Sequence, residues 1–162
     1  MKKHLLIGTT PPPNHGQAIA FQKSIDAIKE NKLNYKVIES TFKNKNGKIS
    51  FSLFLKYFIN VFISYIKYKP DIIYFLCSRT LFGSLRDVFV LFIYYFSDVV
   101  IVNHIHGATL PEFIESLPLP VKYFYKKLYN RINKHIVLNA EMKQQLTGFI
   151  DVKKIYVVNN FY

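Results

Sequence analysis

Three polar side chains close one strongly apolar stretch of this sequence. DVVIVNHIHG, from Asp98 to Gly107, runs Val99, Val100, Ile101 and Val102 into Asn103, His104 and His106, with Gly107 after them. Four apolar β-branched residues without alternation predict a strand covered on both faces, as in a parallel sheet. In open α/β sheets the ligand lies beyond the carboxyl ends of the strands, where this polar cluster would stand. Three chemistries suit the histidine pair. As an HxH unit it can bind a metal, with His15 or Cys77 as a third ligand, although no further residue has ligand spacing. One ring can act as a general base, given an orienting partner. The expected role is simpler: one side chain hydrogen-bonds a polar ligand while the other points away. Both positions are even-numbered, so the two rings can share a face until Gly107 ends the strand.

Three further polar clusters follow predicted strands. TTPPPNHGQ, from Thr9 to Gln17, carries Asn14, His15, Gly16 and Gln17. Its three prolines exclude helix and central strand. Ser78, Arg79 and Thr80 follow a third strand, and Asn139 to Glu141 follow a fifth. In a parallel sheet all four clusters fall on one edge. Cys77, after an apolar strand, reads as buried packing rather than as a nucleophile.

The elements that position these clusters alternate. Strands are predicted at His4 to Gly8, Tyr35 to Glu39, Asp71 to Cys77, Val99 onward, Lys134 to Leu138 and Ile155 to Val158. Helices are predicted at Gln17 to Glu30, Ser52 to Lys67, Gly83 to Phe96, Val121 to Asn133 and Ala140 to Thr147. Ala18, Phe21, Ile25 and Ile28 form an apolar stripe on the first. The second has a narrow polar stripe of Ser52, Lys56, Asn60 and Ser64, and is expected to be buried. The helix from Val121 is basic and aromatic, with Lys122, Lys126, Lys127 and Arg131; an anionic membrane and a solvated face suit it equally. Asn139 is a predicted N-cap and Gly148 a predicted helix end. Ser40 to Ser50 reads as an exposed basic loop, and Thr109 to Pro120 as a loop with at most one helical turn. The alternation predicts an α/β fold: one Rossmann-like domain, a parallel sheet with helices on both faces. G-x-G-x-x-G is absent, so NAD binding is not supported.

With 162 residues, half of them hydrophobic, the chain is one domain's worth and not disordered. Its 22 basic and 10 acidic residues leave a net charge of +12, which implies an anionic partner. Richness in Lys, Asn, Ile, Tyr and Phe also follows from an A- and T-rich genome, which lessens the weight of charge alone. A nucleic-acid partner is not expected, because the aromatics sit in apolar runs rather than basic ones. A single cysteine, Cys77, excludes an intrachain disulfide and fits a reduced, cytoplasmic setting. Neither a signal peptide nor a membrane span is expected.

GTTPPPNHGQAIA after the first strand, VNHIHGATL after the fourth, KHIVLNAEMKQQL at the fifth and KIYVVNNFY at the end together resemble the N-terminal domain of family-four glycosyltransferases. These are retaining enzymes of the GT-B fold. The resemblance covers nearly the whole chain, in order. It implies two Rossmann-like domains with a cleft between them, an acceptor-binding N-terminal half and a nucleotide-sugar-binding C-terminal half. Carried over, Asn14, His15, Gly16 and Gln17 line the cleft near the donor phosphates and the acceptor. His106 and Gly107 match the family's His-Gly beside the transferred sugar, which makes His106 the catalytic candidate; His104 and Arg79 are substrate-binding candidates from the polar clusters that follow the strands. Asn139 stands where the family often has Ser or Thr. The donor domain, with its Glu-x7-Glu motif, is not in residues 1–162, and VVNNFY corresponds to the crossing between domains. The resemblance therefore implies half of an enzyme, inactive alone, for surface-polysaccharide, capsule or lipopolysaccharide synthesis. Nucleotide-sugar is its co-substrate, with no metal or other cofactor expected. Its acceptor is a glycan or lipid-linked glycan, and its place the inner face of the plasma membrane. The other expectation is a non-catalytic membrane-surface binding module or a truncated remnant.

Overall fold

The computed structural model describes residues 1–12, 14–42, 48, 50–78, 80–107 and 109–159, without the side chains of 81 and 82. Six parallel strands form one sheet in the order β2-β1-β3-β4-β5-β6. With six α-helices alternating among them, the described chain is α/β and Rossmann-like. The strand order is the flavodoxin-like one with a sixth strand added, and its winding reverses at β1 and β3. The chain forms two compact units, Met1–Phe75 and Leu76–Tyr162.

In the first unit β1 (Lys3–Gly8) lies between β2 (Asn34–Glu39) and β3 (Ile72–Leu76), whose last residue belongs to the second unit. Leu5, Leu6 and Ile7 are all buried, so both faces of β1 are covered and the strand does not alternate. Helix α1 (Gly16–Glu30) packs Ala18, Phe21 and Ile25 inward, which is most of the predicted stripe. Gly8 is required by close approach: a Cβ there would lie 2.6 Å from the Phe21 ring. Phe21 in turn stacks on Tyr74 of β3 at 6.4 Å.

Helix α2 (Phe51–Ile63) runs into a π-helical turn, Ser64–Tyr68. Its expected burial is overturned. Tyr57 and Val61 point inward, joined by Ser64 of the predicted polar stripe, while the apolar side chains on the other face are exposed. Phe42 packs edge-on against Phe54 and Tyr57 at 5.2 and 5.5 Å, so the inward face is held by aromatic contacts. Lys43, Lys45 and Gly47 of the predicted basic loop lie outside the described residues.

The second unit contains α3 (Leu81–Ile93), β4 (Val100–Ile105), α4 (Leu110–Ser116), α5 (Leu119–Tyr129), β5 (Lys134–Val137), α6 (Ala140–Leu146) and β6 (Ile155–Val157). The loop expected from Thr109 to Pro120 is mostly α4, with Leu110 and Ile114 buried one turn apart. Pro111 did not prevent this, because proline is tolerated in a first helical turn. The basic face expected on α5 is also changed. Lys122 and Lys126 each reach Glu115, at 2.7 and 3.1 Å. Arg131 turns away from solvent: its guanidinium donates to the carbonyls of Tyr95, Ser97 and Val99 and ties down the approach to β4. Asn133 Oδ1 accepts from the Ile101 N–H at 2.8 Å and completes the clamp.

Candidate functional site

The first unit presents the loop that leaves β1. Its start is fastened to the end of β2. The Ser40 N–H donates to the Gly8 carbonyl at 2.8 Å, and the Thr9 and Ser40 hydroxyls lie 3.1 Å apart. Thr10 donates from Oγ1 to Glu39 Oε1 at 2.5 Å. His15 is the N-cap of α1, its Nδ1 accepting from the Ala18 N–H at 3.1 Å. That bond occupies one ring nitrogen and leaves the proton of the neutral ring on Nε2. Asn14, His15 and Gly16 are exposed and Gln17 is half-buried. Amide and imidazole groups are therefore presented beyond the carboxyl end of β1, on a loop whose start is anchored to the Glu39 carboxylate at the end of β2. They suit a ligand rich in hydroxyl groups. Glu39 and Ser40 were missed in the sequence because nothing local marks them; they matter through their pairing with Thr9 and Thr10.

The second unit presents the ends of β4 and β5. The β4–β5 register places Ile105 opposite Val137. Gly107 and Asn139 each stand two residues further on, so they share one edge. The His104 and His106 rings lie 4.1 Å apart between centroids, tilted by 42°. The two rings therefore lie on the same side of the chain, as their even-numbered spacing allows. His104 is buried, and its pKa is pushed down to about 3, first by burial and then by His106. It is a neutral ring at physiological pH and serves as a wall rather than a general acid. His106, just past the end of β4, is half-buried, with its Nε2 enclosed. Gly107 has φ of 141°, a backbone conformation that favours glycine and turns the chain sharply off the strand. Asn139 is the N-cap of α6 as expected: Oδ1 accepts from the Met142 N–H at 2.8 Å, which leaves its amide NH2 for other partners.

Behind this edge lies a buried polar cluster. Asn103 is fully buried beside the Cys77 thiol rather than displayed with the histidines. Burial pushes the thiol up to about 12, with the Asp87 carboxylate adding to the shift and Asn103 and Tyr129 opposing it. Cys77 is therefore unreactive packing. Asp87, 1% exposed, accepts from Arg86 Nε and Nη2 at 2.9 and 2.7 Å. Its other oxygen accepts from the Ser78 N–H at 2.6 Å. Arg86 also donates to the Leu76 carbonyl at 3.0 Å. Thr80 caps α3 through the Gly83 N–H at 3.2 Å. The loop after β3 is thus pinned at Ser78 and Thr80, on either side of Arg79, which lies outside the described residues. One signal in the sequence pointed to the ion pair: Arg86 and Asp87 are adjacent charges in an otherwise apolar helix.

Among the described residues, no three His, Cys, Asp or Glu side chains come together as a metal-binding group, so the HxH reading gains no third ligand. No helix described is long and apolar enough to cross a membrane. No protein-family model matches the chain, and no curated protein does either.

Proposed function

We propose that this chain is the acceptor-binding half of a retaining glycosyltransferase, one that transfers a sugar from a nucleotide-sugar to a glycan or lipid-linked acceptor. The observation that carries the reading is the edge of β4 and β5. There His106 and Gly107 follow β4 and Asn139 follows β5 on the same sheet edge, and the resemblance reads the His-Gly pair as lying beside the transferred sugar. The anchored loop of Asn14 to Gln17 supports it with a second set of hydroxyl-binding groups. In this reading His106 lies beside the transferred sugar. Asn139 adds an amide donor, and the loop after β1 meets the acceptor and the donor phosphates. The nucleotide-sugar would be held chiefly by a second domain. The place of action is the inner face of the plasma membrane, in the synthesis of a surface polysaccharide.

The test is a titration of isotope-labelled chain with a short-chain polyprenyl-diphosphate-linked sugar, followed by NMR. Resonances of His106, Asn139 and Asn14 to Gln17 should shift, and His106→Ala should weaken the affinity at least tenfold. An acceptor series that leaves all these resonances unmoved sinks the proposal. A second reading, a non-catalytic membrane-surface module, draws on the exposed apolar face of α2. Sugar transfer on adding a donor-binding domain separates the two.

A further inference from the structure

The outer face of α2 is apolar, exposed and continuous. Phe51 is 76% exposed, and Leu55, Ile59, Phe62 and Ile63 are between 38 and 50%. Their spacing of three and four residues aligns them in one stripe along the helix. Ile66, 49% exposed, follows in the π-helical turn. Ser52 and Lys56 border the stripe and are exposed, as is Lys67 in the following turn. A contiguous apolar patch of this kind marks an interaction surface.

The charge around it selects the occupant. From Ser40 to Pro70 the sequence has six lysines (Lys43, Lys45, Lys48, Lys56, Lys67 and Lys69) and no Asp or Glu. Lys56 and Lys67 flank the stripe in a segment without acidic residues, so a second copy would set like charges against them. An anionic lipid surface accepts both parts at once: the apolar side chains enter the acyl boundary and the lysines meet the headgroups. Too short to span, the helix would lie in the plane of the interface. Helix α5 is the weaker candidate, because Lys122 and Lys126 already face Glu115.

We infer that α2 docks this protein flat on an anionic bilayer, with Phe51, Leu55, Ile59, Phe62 and Ile63 inserted and Lys56 and Lys67 at the headgroups. The docking deepens the membrane location of the reading above, and it stands or falls on α2, independently of sugar binding at the edge of β4 and β5.

Vesicle flotation tests it, with phosphatidylcholine vesicles and with vesicles of phosphatidylcholine and phosphatidylglycerol mixed seven to three. Wild-type chain should bind the mixed vesicles at least tenfold more tightly, and Leu55→Glu/Ile59→Glu should lose at least tenfold. Both substituted residues are exposed, so an unchanged melting curve should accompany the loss. Tyr123→Ser/Phe124→Ser on α5 should bind within twofold of wild type. Equal binding by the α2 variant overturns the inference, as does loss confined to the α5 variant. A dimer in solution that Ile59→Glu dissolves also overturns it, since a second copy would then cover the face.

Discussion

The Asp87 carboxylate of α3 accepts the Ser78 N–H at 2.6 Å, tying a buried charge to the loop that follows β3. Arg86, one residue away, is bound to the same carboxylate and to the last carbonyl of β3. The ion pair therefore fixes where the strand ends and holds the Ser78 backbone against α3.

Asp87→Asn leaves the Arg86 guanidinium buried without its counter-charge. Breaking one partner of a buried pair costs about 3–5 kcal/mol. Replacing both, as Arg86→Met/Asp87→Leu, should restore most of that loss, because no uncompensated charge remains. Urea unfolding of the two variants checks this. A cost below about 1 kcal/mol for Asp87→Asn would mean that the pair is solvated.

Gly83 lies under the same loop. A Cβ added there would meet Ser78 Oγ at 1.9 Å and Ser78 Cβ at 2.3 Å. Gly83→Ala should destabilise by about 1–3 kcal/mol through overpacking, despite the better helix propensity of alanine. Ser78→Gly removes both clashing atoms, so the double variant Gly83→Ala/Ser78→Gly should be more stable than Gly83→Ala. Thermal melts of the three variants decide it, and an additive double would show that the clash is not the cause.

Stability should fall with acid through two buried histidines. His104 and His135 are each held near a pKa of about 3, chiefly by burial, against 6.5 for the free side chain. The unfolded chain binds protons at both below pH 6.5, and the folded chain does not until near pH 3. Their contribution is complete above pH 6.5 and is lost as pH falls toward 3, at about 1.4 kcal/mol per pH unit for each fully shifted ring. Asp87, raised by burial, has the opposite sign in the range above 3.8, so the histidine contribution is read by difference. His104→Gln/His135→Gln should show a shallower decline of urea-unfolding stability between pH 6.5 and 4.5 than wild type. NMR should find both wild-type rings neutral at pH 5. A ring that titrates near 6.5 would refute its burial.

The sequence by itself determined the alternation of elements, the parallel sheet and the edge on which the polar clusters fall. These rest on local signals: unbroken β-branched runs for buried strands, a stripe at helical spacing for α1, and cap residues such as Asn139. It also marked His106–Gly107, where a polar residue and a glycine end an apolar strand. Only the tertiary structure decided which side chains are turned outward. Composition makes α2 look like a core helix, yet a helix rich in apolar residues buries only the face that a neighbour covers, and here that face is Tyr57 and Val61. Likewise Arg131 reads as one of several cations on α5 until the carbonyls of Tyr95, Ser97 and Val99 come round to meet it. Asn103 and His104 are neighbours in sequence with different surroundings: the first lies beside Cys77, the second beside the His106 ring. Strand residues alternate in direction, so what each one meets depends on the layer packed against that side.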